Sequence, residues 1–103
     1  MLRNANKSLS RFTVELAVRG IDEVTDPSAQ QEFDFELSMR PHILKKKVSM
    51  DHENHQLIIR IVIEGIDPQR TAQGASEELL EIAAVLLNKI DGMQIVVRKV
   101  EQN

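Results

Sequence analysis

This chain of 103 residues contains no cysteine, tryptophan or tyrosine, and Phe12, Phe33 and Phe35 are its only aromatic side chains. The missing cysteines exclude disulfide stapling, thiolate zinc sites and a cysteine nucleophile, and they fit a reducing compartment. The missing aromatics leave a core to be built from Ile, Leu, Val, Met and Ala, and they remove the platforms on which single-stranded nucleic acid stacks. No apolar run reaches the roughly 20 residues that span a bilayer. Residues 1–10 are polar and weakly basic, without the apolar stretch of a secretory signal. The expectation is a soluble cytoplasmic protein with no membrane association.

The formal net charge of -3 is too small to name a partner, but its distribution is uneven. Residues 1–19 hold Arg3, Lys7, Arg11 and Arg19 against Glu15 alone. Asp22, Glu23, Asp26, Glu32, Asp34 and Glu36 follow with no base between them, and then Arg40, Lys45, Lys46 and Lys47 restore positive charge. Such alternation can steer a partner or make the chain complementary to a copy of itself. The plainer reading is a solvated surface of both signs.

The apolar pattern places the elements. Phe12, Val14, Leu16 and Val18 alternate with polar or small residues, the period of a half-buried strand, so residues 11–19 are expected as a strand after a flexible tail over 1–10. Residues 20–28, rich in turn formers, read as a loop. Phe33, Phe35, Leu37 and Met39 alternate in the same way, which predicts a second strand paired with the first in an antiparallel hairpin. Pro41 cannot donate a ladder hydrogen bond, and the lysines at 45–47 suit an exposed edge strand that begins near a bulge. Asp51 to Asn54 read as a tight turn. The almost continuous apolar run 57–64, broken by Arg60, predicts a central strand.

Asp67 followed by Pro68 supplies a side-chain acceptor and a preset helical φ, so a helix is expected from here to about Lys89, closed by Gly92. Ala72, Ala75, Leu79, Ile82, Leu86 and Ile90 form its apolar stripe, which Leu80, Ala83, Ala84 and Leu87 widen. Met93 to Val100 would close the sheet, parallel to the strand at 57–64. The fold class is thus α+β, a two-layer sandwich over residues 11–101. Its mixed, mostly antiparallel sheet has four to five strands and one long helix in the C-terminal half, in β-β-β-β-α-β order. Val18-Arg19-Gly20-Ile21-Asp22 echoes Ile63-Glu64-Gly65-Ile66-Asp67, each at a strand exit.

One helix cannot cover a sheet of that width. Ile58, Val62, Val96 and Val100 are expected on the uncovered face, and with Leu80 and Leu87 on the surplus helix surface they define a candidate self-association surface. A homo-oligomer, most simply a dimer, is expected, with another protein as a possible partner. The chemical candidates are fewer. His52 and His55 beside Asp51 and Glu53 have spacing that a metal could use, yet a turn need not point them together and no second cluster completes a site. His42 has no nucleophile or carboxylate fixed near it by spacing. The acid pairs Asp34/Glu36 and Glu77/Glu78 are accounted for by a wet strand face and by the early part of a helix. No enzyme, cofactor or metal is therefore expected. The alternative to self-association is polyanion binding through Arg40, Lys45, Lys46 and Lys47, against which stand the acidic net charge and the missing aromatics.

Overall fold

A computed structural model describes residues 9–21, 27–86 and 93–103. The elements run β1 (Ser10–Arg19), α1 (Ala29–Ser38), β2 (Ile43–Asp51), β3 (Gln56–Gly65), α2 (Pro68–Leu86) and β4 (Gln94–Gln102). The strands make one sheet in the order β2-β3-β1-β4, and every neighbouring pair is antiparallel. One face of that sheet packs on both helices, giving the two-layer α+β sandwich that the pattern predicts.

The core follows from alternation. Phe12, Val14, Leu16 and Val18 of β1 stand opposite Ile63, Ile61, Ile59 and Leu57 of β3, and the helices close over them with Ala29, Phe33 and Leu37 from α1 and Ala75, Leu79, Ile82 and Ala83 from α2. As expected, β3 is central and the lysine-bearing β2 is an edge.

Two features of the expected order are corrected. The segment read as a strand over 32–39 lies in helix α1, Ala29–Ser38, with Met39 as its C-cap, and does not pair with β1. The alternation of Phe33, Phe35, Leu37 and Met39 hides a second period: Ala29, Phe33 and Leu37 lie four residues apart, and a helix buries all three on one face. Phe35 and Met39 then turn outward, 61% and 64% exposed. The sheet is also not mixed. Strand β1 lies between β3 and β4 and is antiparallel to both, so β3 and β4 run in the same direction without pairing. The order is therefore β-α-β-β-α-β, two interleaved split βαβ units in the ferredoxin-like topology.

That topology puts residues 18–21 and 63–67 of the echo at the exits of β1 and β3; Asp22 lies outside the described residues. Gly20 takes φ 87, a left-handed conformation, and its N–H and that of Ile21 both donate to the His55 carbonyl. At Gly65 a Cβ would run into the Thr71 side chain. Asp67 caps α2 as expected: its Oδ1 accepts the Arg70 N–H at 2.8 Å, and the Thr71 hydroxyl donates to its carbonyl at 2.7 Å. Leu87 and the end of the helix expected at Lys89 to Gly92 lie outside the described residues.

Two register shifts re-aim side chains. In β2 the pairing passes from Ile43 to Lys45, leaving Leu44 as the extra residue. In β4, Lys99 stands opposite Glu15 and Val97 opposite Leu16, so Arg98 is extra. The second shift corrects the expectation for Val100. In an unbroken strand Val96 and Val100 would share a face, but the bulge between them turns Val100 onto the covered face opposite Val14 and leaves Val96 on the open face opposite Ala17.

Candidate functional site: the open face of the sheet

The face turned away from the helices is built in cross-strand rows. Nearest the β2–β3 turn, Asp51, Gln56, Arg19 and Gln94 align across the four strands, and Ser49, Ile58, Ala17 and Val96 form the row after them. Ala17, between Ile58 and Val96 in that row, is only 1% exposed. The next row runs Lys47, Arg60, Glu15, Lys99, and the one beyond it Lys45, Val62, Thr13, Glu101. A groove of about 480 Å³ lies over these two rows.

Glu15 is the electrostatic centre. Arg60 Nη2 donates to its Oε1 at 2.7 Å, and Arg98 Nε, turned toward it by the bulge, lies 3.6 Å from Oε2. The Arg60 hydrogen bond holds the Glu15 carboxyl below its usual range. Desolvation opposes that shift, and the charges of Arg60, Arg98 and Lys99 reinforce it. Lys45 and Lys47 have no carboxylate within ion-pair distance among the described residues. Cations therefore outnumber anions on this face, although the chain as a whole is acidic.

The helical layer has the opposite sign. Glu32, Glu77 and Glu81 are exposed there, together with Phe35, Leu80 and Val85. Its cations are spent locally. Arg40 bonds Glu36 and, through Nε at 2.7 Å, Glu78, which also meets His42 Nε2 at 2.7 Å, and Lys46 Nζ lies 2.7 Å from Asp34.

The expected surfaces are thus divided. Of the self-association residues, Ile58, Val62 and Val96 lie on the open face, with the charged Arg60–Glu15 row between Val62 and the other two, while Leu80 lies on α2 in the opposite layer. Of the basic cluster, Lys45 and Lys47 face the open groove, and Arg40 and Lys46 are held on the helical side. Residues 45–47 alternate across a strand, so consecutive lysines cannot form one patch. The sequence reading passed over Glu15, Arg60, Arg98 and Lys99 as a site. The period of two in β1 and β3 could have found the first two, but the bulge hides the phase of the last two.

A second groove, of about 600 Å³, lies at the sheet end beside the start of α2, with Leu9, Leu44 and Ile66 on its walls and Gly74 opening it. The histidine-bearing turn is organised otherwise: Asn54 and Gln56 side-chain amides donate to Asp51, holding its carboxyl low, and His55 adopts φ 51. No group of three metal-ligating side chains converges among the described residues, and no helix among them is long and apolar enough to cross a membrane. Fold and surface define a two-layer α+β domain with one cation-rich sheet face that no element among the described residues covers. No protein-family model matches the chain, and neither a curated protein nor a solved structure does.

Proposed function

We propose that the protein is a non-catalytic, cytoplasmic interaction module that associates with copies of itself, with the open sheet face as its principal contact surface. The observation that carries this reading is a sheet face that no element among the described residues covers. Half-buried Ile58, Val62 and Val96 sit there among charged side chains, the mixture found where a surface is covered only on association. The test is the solution mass by light scattering on a size-exclusion column, across a concentration series, against the 11.7 kDa of one chain. Masses of two copies or more that rise with concentration support the reading; one chain at every concentration ends it.

A second reading is favoured by Lys45 and Lys47, which lack carboxylate partners among the described residues and share the groove with Arg60 and Lys99. That arrangement suits a polyanion bound by counterion release. Duplex DNA and heparin are the probes. Binding that weakens steeply with salt and is lost in Lys45→Glu/Lys47→Glu supports it, and absence of binding at low salt removes it.

A further inference from the structure

The two layers are complementary to each other and not to themselves. The groove of the open face holds Lys45, Lys47, Arg60 and Lys99 around Val62, outnumbering its carboxylates Glu15, bonded to Arg60, and Glu101, 3.5 Å from Lys99, whereas the helical layer presents Glu32, Glu77 and Glu81 around Phe35, Leu80 and Val85. We infer that copies associate head to tail, the sheet face of one receiving the helical layer of the next. This inference rests on the self-association reading above and adds its geometry.

The argument is one of elimination by charge. A two-fold contact between sheet faces is self-complementary by symmetry, so it brings the same cationic patch against its own copy. A two-fold contact between helical layers does the same with the carboxylates of Glu32, Glu77 and Glu81. Like charges across an interface suppress such pairings, and opposite potentials favour the mixed one. In the mixed contact, exposed Leu80 and Val85, 44% and 76% accessible, meet the half-buried Ile58, Val62 and Val96. The sequence places Ile58, Val62, Leu80 and Val96 in one self-association surface; distributed on opposite layers, they become parts of the two halves of a heterologous contact. Such a contact closes into a ring or continues as a filament.

Size sets the strength. Four strands about 4.8 Å apart and ten residues of about 3.3 Å rise give a face of roughly 600 Å². Twice that area lies at the low end for specific interfaces, so assembly is concentration-dependent. Because opposite charges are exposed at the rim, added salt weakens it.

The test uses charge reversal on each layer separately: Lys47→Glu/Lys99→Glu on the sheet and Glu77→Lys/Glu81→Lys on α2, with folding checked by circular dichroism. Each variant alone should need at least tenfold more protein than wild type to associate. Mixed in equal amounts they should recover wild-type mass, because every junction between unlike variants again joins opposite charges. If either variant alone keeps the wild-type mass, or if both lose it and the mixture does not recover, the head-to-tail geometry is overturned while self-association stands. A wild-type chain that is monomeric throughout removes both. Should a double reversal unfold, Lys45→Glu and Glu32→Lys serve as the pair in the same experiment.

Discussion

On the face of the sheet covered by α1 and α2, Phe12, Val14, Leu16 and Val18 are shut from solvent against Phe33, Leu37, Leu79 and Ile82. On the opposite face the same strand presents Thr13, Glu15, Ala17 and Arg19 to Ile58, Arg60 and Val62 of β3. One strand therefore takes part in two kinds of order. The covered side is held by apolar area removed from water, which is non-directional and large. The open side is held by a few directed contacts, the Arg60–Glu15–Arg98 array among them, in solvent that screens them. Stability resides on the first side, and the association proposed above belongs to the second.

The largest effect that sharpens this contrast is expected from Leu16→Ala, which leaves a cavity at the centre of the covered face and should cost about 2–5 kcal/mol. Thr13→Ala, three residues away on the open face, should stay within about 0.5 kcal/mol. Urea denaturation of the pair measures both, and similar losses would mean that the two faces do not differ as described. Next comes Gly65→Ala, where the added methyl meets the Thr71 side chain at the junction of β3 and α2. Overpacking there should cost about 1–3 kcal/mol, and an unchanged melting temperature would show that the junction yields freely.

A smaller effect is expected from Glu15→Gln, and it depends on pH. The folded-state carboxyl lies below the ordinary glutamate value of about 4.5, so it contributes stability that is fully present at neutral pH. That contribution fades as pH falls below about 4.5 and through the depressed folded value. The gap between wild type and Glu15→Gln should therefore narrow on acidification, and parallel stability curves down to strongly acid pH would sink the assignment of Glu15 as the centre of the open face. Smallest, and opposite in sign, is Gly74→Ala. With no atom near the added methyl, the gain in helix propensity should stabilise the chain by about 0.5–1 kcal/mol, as read by thermal unfolding.

Legibility in the sequence followed the length and purity of each pattern. Strand β1 is long and cleanly phased, β3 is a long, almost continuous apolar run, and the Asp67-Pro68 start of α2 combines a cap with a preset φ, so all three could be placed from residues alone. Helix α1 could not. Over residues 29–39, apolar positions at 29, 33, 35, 37 and 39 offer a period of two and a spacing of four at once. Ser28 makes no side-chain capping bond that would have marked a helix start. What decides between the periods is the space beside α2 over β2, which accepts Ala29, Phe33 and Leu37 and leaves Phe35 and Met39 outside. The lysine run shows the same limit on the candidate site: three adjacent charges read as one cluster, while the strand sends Lys46 to Asp34 and Lys45 and Lys47 to the open groove.

The sequence by itself determined the α+β class, the two central strands, the edge position of the lysines and the capped helix, because each is written in local periodicity and in residues whose backbone chemistry acts over a few positions. The tertiary structure alone decided that β1 separates β3 from β4, that a single bulge sends Val96 and Val100 to opposite faces, and that basic and acidic side chains sort onto opposite layers. Those outcomes depend on which strand edges and faces meet across the fold, and a one-residue change of register anywhere along a strand exchanges every side chain beyond it between core and solvent.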